Sequence, residues 1–178
     1  MRILLKLTLD TDADAAWRAL HSPTVLAEMY GPFVTVDPLD PAEAEAVAGS
    51  LDPRASTGVR LRLLGVIPLG RQLIAVSDRR LSHGGAMVRI LRDSGIPLTG
   101  PLAALDVWDH QLAVAPVSGD PTRTLWRERL VIGGPTAALF WPSLWLTWQW
   151  RARRIRRLAR HWAHDPGPVA TRNPLPAS

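Results

Sequence analysis

The feature that most constrains this chain is a segment rich in tryptophan and arginine, residues 135–162, near its C-terminal end. It holds five of the eight tryptophans, and six arginines follow within residues 151–160. One apolar stripe recurs at steps of three and four residues, and its members are Trp141, Trp145, Trp148, Ala152, Ile155, Ala159 and Trp162. The segment therefore predicts one long amphipathic helix, with Pro135 near its first turn. Pro142 is expected to kink this helix or to mark its true start.

The N-terminal residues predict one strand followed by two short helices. Residues 3–9 alternate weakly between apolar and polar, as in a strand with one buried face. Acidic residues then supply N-cap candidates for a helix over 13–20. Ser22 is positioned to cap a second short helix, with Pro23 at its first position.

The middle of the chain predicts strands joined by turns. The expected strands are residues 33–37, 58–64, 72–77 and 86–92, and then a long hairpin of 105–115 and 122–132 around a turn at 118–121. Residues 38–57 are interpreted as a loop or insertion. The Pro-rich residues 165–178 are predicted to be disordered, which leaves a single domain over 1–164.

This order of elements predicts an α+β fold, with helices on one face of an antiparallel sheet. It resembles the helix-grip fold of the SRPBCC superfamily, which includes START, polyketide-cyclase and birch-pollen-allergen-like proteins. The residues that carry the resemblance are the Asp-rich opening before Ala16-Trp17, Ser22-Pro23, the Gly58 strand with the Pro68–Gly70 turn, Trp108-Asp109-His110, and Gly134 with Thr136 at the entry to the last helix. The resemblance covers residues 1 to about 164.

The resemblance implies a curved antiparallel sheet of about six or seven strands that wraps around the long C-terminal helix. The implied order is strand, two helices, five or six strands and one helix. It also implies an apolar cavity between the sheet and the helix, in which a small molecule binds. The spacing of apolar residues alone does not define such a cavity.

Composition excludes several classes of site. The chain has no cysteine, which removes disulfides and thiol chemistry, and its five scattered histidines do not form a zinc motif. No dinucleotide-binding, P-loop or nucleophile-elbow motif occurs, so we expect no cofactor, no metal and no catalytic signature. The net charge is +5 and the pI is about 11.1, nearly all from arginine. Since no nucleic-acid-binding motif accompanies this charge, nucleic acid is not expected as a partner.

The N-terminal residues do not form a signal peptide, because Lys6 and Asp10 interrupt their apolar run. The apolar part of the last helix is shorter than the roughly 20 residues that span a bilayer. We therefore expect a cytoplasmic protein without a transmembrane segment.

The hairpin carries the most distinctive candidate site. Its inward faces are predicted to present Trp108 and His110 on the first strand, and Trp126 and Glu128 on the second. A register that keeps both faces inside places His110 opposite Glu128 and Leu112 opposite Trp126. A His–Glu pair there can satisfy itself in the core, bind the polar end of a ligand, or act as acid and base.

Four further aromatic residues are candidates for ligand contact. Trp145 and Trp148 lie on the helix stripe, which is plain core or, in a helix-grip fold, also the cavity wall. Tyr30 and Phe33 flank a Gly-Pro turn. The resemblance places this turn near a cavity entrance, and the alternative is a structural turn with two aromatic rings packed beneath it.

The arginines of the last helix allow two interpretations. The simpler one is a solvated helix face, whose positive charges complement the C-terminal end of the helix dipole. In the other, Arg151, Arg154 and Arg157 meet an anionic membrane surface while neighbouring tryptophans enter the interface.

Three hypotheses of function follow. The first is binding of a hydrophobic or amphipathic small molecule, lipid or polyketide-like, with Tyr30, His110 and Glu128 orienting its polar end. The second is an enzyme of the cyclase or dehydratase kind, in which His110 is the acid or base and Glu128 its orienting partner. The third is a membrane-surface or partner-binding module that uses the last helix. Fold-level resemblance does not choose among them.

Overall fold

The computed structural model describes residues 1–39 and 56–162. Most of the predicted loop at 38–57 and the whole predicted disordered tail at 165–178 lie outside these residues. The elements are β1 Arg2–Leu9, α1 Ala13–Leu20, α2 Pro23–Tyr30, β2 Val34–Pro38, β3 Ser56–Leu63, β4 Ile67–His83, β5 Ala86–Asp93, β6 Val107–Val117, β7 Asp120–Gly133 and α3 Ala137–Trp162. One 3-10 helix, Pro101–Ala104, precedes β6.

The strands form one seven-stranded sheet in the order β1-β7-β6-β5-β4-β3-β2, and each neighbouring pair is antiparallel. Strand β4 is much longer than the predicted 72–77, because its first part pairs with β3 and its second part with β5. A seven-stranded antiparallel sheet with a long C-terminal helix is the predicted α+β helix-grip architecture, so this prediction is confirmed.

The two short helices begin where their caps predict. The Asp12 carboxylate accepts hydrogen bonds from the backbone N–H groups of Asp14 (2.9 Å) and Ala15 (2.8 Å). The Ser22 hydroxyl accepts one from Val25 N–H (3.4 Å), with Pro23 at the first helical position. Both helices therefore start at residues whose side chains satisfy otherwise unpaired backbone donors.

The long helix α3 begins at Ala137 and continues through Pro142. The interpretation that Pro142 marks the true start of the helix is therefore wrong. The entry is held by the Thr136 hydroxyl, which donates to the carbonyl of Ala104 (2.8 Å). Pro142 lies in the second turn of α3, and because proline has no backbone N–H it cannot donate to the carbonyl of Ala138.

Only part of the predicted apolar stripe of α3 is buried. Trp148, Ile155 and Trp162 are at most 5% exposed, whereas Trp145 is 43% exposed and stacks on Trp141 with ring centroids 6.4 Å apart. The second half of the helix therefore packs against the sheet along the predicted stripe, and the first half packs on it only in part.

The core of the described residues has two apolar clusters. The first joins α1, α2 and the second half of α3 to the sheet around Trp126 and Ile155. The second joins the first half of α3 to the ends of β1 and β7 around Ile132 and Trp148. Leu5 on β1 packs against both. Within residues 1–39 and 56–162, no helix has the length and hydropathy needed to cross a bilayer.

Candidate functional site

A buried polar cluster lies on the inner face of the sheet, where the two apolar clusters meet. On β7, Glu128 stands between Trp126 of the first cluster and Leu130 of the second. Facing it from α3 is Arg151, and the two side chains are both completely buried. Since an ionised side chain is costly to remove from water unless it is paired, this is the most distinctive site in the described part of the chain.

The carboxylate of Glu128 has donors on both of its oxygens. Arg151 Nη1 donates to Oε2 (2.8 Å), Trp126 Nε1 donates to Oε1 (2.9 Å), and His110 Nε2 lies 3.5 Å from Oε2. Burial alone would raise the pKa of Glu128, but Arg151, with His110 and Trp126, outweighs it and holds the pKa at about 2. Glu128 is therefore a fixed anion that can orient its neighbours but does not accept a proton near neutral pH.

Aromatic rings surround the guanidinium of Arg151. Its Cζ lies 4.4 Å from the centroid of the Tyr30 ring and 5.4 Å from that of Trp148. Within the described part of the chain, Arg151 Nε and Nη2 have no hydrogen-bond partner, and neither does Trp148 Nε1. The cluster thus satisfies its acceptors more completely than its donors.

Tyr30 and Asp93 extend the cluster towards α2 and β5. Burial raises the pKa of the Tyr30 hydroxyl above its usual value, although the nearby Arg151 lowers it, so the phenol stays neutral. Burial also raises the pKa of Asp93, although the backbone N–H groups of Gly95 (3.0 Å) and Ala75 (3.1 Å) donate to its Oδ1. Asp93 lies directly opposite His110 in the β5–β6 register.

The observed pairing of β6 with β7 is shifted from the predicted one by two residues along β7. His110 lies opposite Leu130, and Glu128 lies opposite Leu112, so His110 and Glu128 are diagonal neighbours. The strands pair closer to the turn than expected, up to Val117 and Asp120, with an irregularity after Pro116. Because the shift is an even number of residues, every side chain keeps its predicted face. The predicted His110–Glu128 contact is therefore present despite the wrong register.

The structure brings five of the eight predicted site residues into one cluster. These are Tyr30, His110, Trp126, Glu128 and Trp148, and the rings of His110 and Trp148 are 5.3 Å apart. Trp108 is half-buried on the same face of β6 and packs against the second apolar cluster.

Phe33 and Trp145 lie outside the cluster. The Phe33 ring packs edge-on against Trp150 at 5.1 Å and is 37% exposed, and Trp145 stacks on Trp141. Their predicted ligand contacts stay predictions.

Arg151 is the main residue that sequence reasoning assigned wrongly. It was placed with the solvent-facing arginines and proposed to meet a membrane surface, yet it is 0% exposed. A signal was available, because Arg151 comes three residues after Trp148 and four before Ile155, which are both on the buried stripe. Asp93 ends β5, one residue beyond the strand predicted over 86–92.

The other two arginines of the predicted membrane surface are in different environments. Arg157 is exposed, whereas Arg154 is half-buried and donates through Nε to the carbonyl of Glu28 (2.5 Å). The membrane-surface interpretation stays a prediction, and Arg151 takes no part in it.

The inner face of the sheet beside the cluster is mostly apolar and is covered unevenly, since Val59 and the polar Gln72 are buried there and other inward residues are not. Val36 on β2, Leu61 on β3 and Ile74 on β4 point to this face and are only half-buried. The long helix α3 packs on the same face of the sheet but mainly on β1 and β7, which lie at the opposite edge from β2. The polar cluster therefore lies beside apolar side chains that are partly exposed to solvent.

A separate groove of about 470 Å³ lies on the outer face of the sheet. Its lining includes Leu4, Lys6, Gln111 and Arg127, whose side chains alternate with those of the inner face. Glu128 also borders the groove, but its carboxylate points to the inner face, where it meets Arg151. The groove and the cluster are thus on opposite faces of the sheet. No three His, Asp or Glu side chains of the described residues are grouped closely enough to hold a metal ion.

Comparison with known proteins identifies the fold. No protein-family model matches the chain, and no curated protein does. Among solved structures, the chain is similar to the Zhui aromatase/cyclase from Streptomyces sp. R1128, with 12% identity, a TM-score of 0.51, and coverage of 95% of this chain and 99% of that one. The chain therefore has the fold of this aromatase/cyclase, the helix-grip fold.

Two further helix-grip structures show the same likeness. Norcoclaurine synthase from Thalictrum flavum is 12% identical, with a TM-score of 0.54 over 89% of this chain and 92% of that one. A protein from Chromobacterium violaceum is 14% identical, with a TM-score of 0.55 over 89% and 96%. Sequence identities this low establish a shared fold, whereas the activity of this chain depends on its own side chains.

Proposed function

We propose that this helix-grip protein binds a hydrophobic or amphipathic small molecule between its sheet and α3. The observation that carries the proposal is the buried Glu128–Arg151 cluster beside an incompletely covered apolar face. Buried charge is costly, and a purely apolar contact would often be at least as stable at such a position. A ligand with an apolar body and a polar end would use both features.

The apolar part of the ligand would lie against the half-buried side chains of β2, β3 and β4. Val36, Leu61 and Ile74 supply branched aliphatic surface there. Burying such surface contributes about 25 cal/mol per Å² before the costs of association are subtracted.

The polar end of the ligand would meet groups with complementary roles. Tyr30 is a neutral hydroxyl, and Glu128 is an anion whose oxygens are already occupied. Arg151 is a cation whose Nε and Nη2 have no partner among the described residues. These groups are held by three different elements, α2, α3 and β7. The cluster is therefore already organised for orienting a ligand.

Two measurements test the proposal. Native mass spectrometry of the protein purified from its own host should show a co-purified small molecule. Titration with N-phenyl-1-naphthylamine, a neutral probe whose fluorescence rises in apolar surroundings, should saturate at one probe per chain. Absence of both a co-purified molecule and saturable probe binding would refute the proposal.

A pair of leucine variants locates the site. Leu61→Trp fills the inner face with a larger ring, so we expect probe affinity to fall by roughly tenfold. Leu81→Trp is the matched control, because Leu81 is 44% exposed on the outer face of β4. Equal loss in the two variants would place the probe elsewhere.

A catalytic role for His110 is the second candidate, and its contact with Glu128 favours it. Glu128 is fixed as an anion and can orient the imidazole, whose ring nitrogens are able to give or take a proton. In this candidate the bound molecule would be a substrate of a cyclase or dehydratase type of reaction. The test is turnover of a molecule identified by mass spectrometry. If His110→Gln converts it as fast as the unchanged protein, the catalytic role is excluded.

A further inference from the structure

We infer that the polar end of the ligand is a carboxylate, held by the Nε and Nη2 edge of Arg151. This inference rests on the proposed function and adds the chemical class of the ligand. It follows from which hydrogen-bonding groups of the buried cluster are already used and which are not.

Donors and acceptors of the cluster are unequally satisfied. Glu128 Oε1 accepts from Trp126, and Oε2 accepts from Arg151 Nη1 with His110 close by. Arg151 Nε and Nη2 and Trp148 Nε1 have no partner within residues 1–39 and 56–162. A ligand group that completes this cluster must therefore accept hydrogen bonds and need not donate any.

The geometry of a guanidinium narrows this acceptor further. Nε and Nη2 lie along one edge of a rigid plane, and their N–H bonds are nearly parallel. The two oxygens of a carboxylate can each accept one of these N–H bonds in a bidentate pair, whereas both N–H groups would have to share the single oxygen of an alcohol or a carbonyl. Since Glu128 binds at Nη1, the two carboxylates would occupy different parts of the same guanidinium.

The aromatic rings around Arg151 favour a fixed orientation of this edge. Tyr30 and Trp148 lie 4.4 Å and 5.4 Å from its Cζ, and the side chain is 0% exposed. The indole N–H of Trp148 also has no hydrogen-bond partner among the residues that the structure describes.

The inference is tested with a carboxylic acid and its matched alcohol. Dodecanoate and dodecanol share one alkyl chain, and each is used to displace N-phenyl-1-naphthylamine from the full chain at neutral pH. We expect dodecanoate to compete at a concentration roughly tenfold lower than dodecanol. Equal competition by the two would overturn the carboxylate inference and leave the proposed function standing.

An arginine-to-lysine pair assigns the preference to Arg151. Arg151→Lys keeps a positive charge beside Glu128 but removes the planar fork, so the preference should fall to about threefold or less. Arg156→Lys is the matched control on the exposed face of the same helix and should keep the full preference. A preference that survives Arg151→Lys unchanged would overturn the assignment.

The wild-type comparison needs no variant, so the inference remains falsifiable if Arg151→Lys does not fold. Failure of the probe, the acid and the alcohol to bind at all would refute the proposed function, and the inference with it.

Discussion

The two halves of the inner sheet face are packed very differently. On β1, β6 and β7, inward residues such as Ile3, Val114 and Leu130 are at most 2% exposed. On β2, β3 and the first part of β4, the inward residues Leu61 and Ile74 are half-buried, although Val59 on the same face is 2% exposed. The first half lies beneath α3 and α1, whereas β2 in the second half packs against the short helix α2.

The contrast indicates a division of tasks between the halves. The packed half holds most of the fully buried core and fixes Glu128, so it should determine stability. The open half offers apolar surface that a ligand can cover, so it should determine binding. Four predictions test this division, in order of decreasing effect.

Removal of the cation from the packed half should have the largest effect. Arg151→Met leaves Glu128 buried without its charge partner, which should lower the free energy of unfolding by about 3–5 kcal/mol. The double variant Arg151→Met/Glu128→Gln should recover much of this loss, because no unpaired charge remains. Urea denaturation measures both, with the exposed Arg156→Met expected within about 0.5 kcal/mol of wild type. A loss as large in Arg156→Met would contradict the special status of Arg151.

Leucine truncation compares the two halves directly. Leu130→Ala, in the packed half, should cost about 2–5 kcal/mol, whereas Leu61→Ala, in the open half, should cost about 1 kcal/mol. The same urea titrations give both values. Equal costs would show that the open half is packed as firmly as the other.

The carboxylates of Glu128 and Asp93 should respond to pH in opposite directions. Glu128 has a lowered pKa in the folded protein, so its stabilisation is present above about pH 4.5 and is lost as the pH falls towards 2. This contribution is on the order of 3 kcal/mol. The difference in unfolding free energy between wild type and Glu128→Gln should therefore shrink over this range.

Asp93 has a raised pKa, so its contribution is greatest below the ordinary aspartate pKa and is lost as the pH rises through the folded value. Asp93→Asn keeps an oxygen for the two backbone donors and should be at least as stable as wild type at pH 7. A large loss of stability there would show that the ionised carboxylate is favourable to the fold.

Replacing a valine by phenylalanine should change stability less than the substitutions of Arg151 and Leu130. It should also distinguish residues that determine stability from residues that determine binding. Val114→Phe overpacks the packed half and should cost about 1–3 kcal/mol. Val36→Phe should cost less than about 1 kcal/mol, because Val36 is half-buried on an edge strand, but it should weaken binding of the naphthylamine probe. The reverse pattern would assign ligand binding to the packed half.

Much of the fold could be predicted because local patterns agree with the tertiary structure. The caps at Asp12 and Ser22 and the strand alternation of β1 are properties of neighbouring residues. The length of β4 could not be predicted in this way, since it depends on pairing with two different strands. The hairpin register failed for a related reason, because the irregularity after Pro116 shifts the pairing without changing the faces.

The candidate site was predicted in part. His110, Trp126 and Glu128 were recognised from alternation on the hairpin, because a strand places every second residue on one face. Arg151 was missed because a row of arginines is usually solvated, and its position on the buried stripe was outweighed by its charge.

The sequence alone therefore determined the order of the elements and the inward faces of the hairpin strands, because 3.6-residue and 2-residue periodicities are local. It also determined that the Trp/Arg-rich segment forms a single long helix. Only the tertiary structure decided which arginine is buried, which part of the tryptophan stripe is covered and which half of the sheet remains open. These outcomes depend on where α3 crosses the sheet and on the partner that each side chain meets there, and such contacts join residues far apart in the chain.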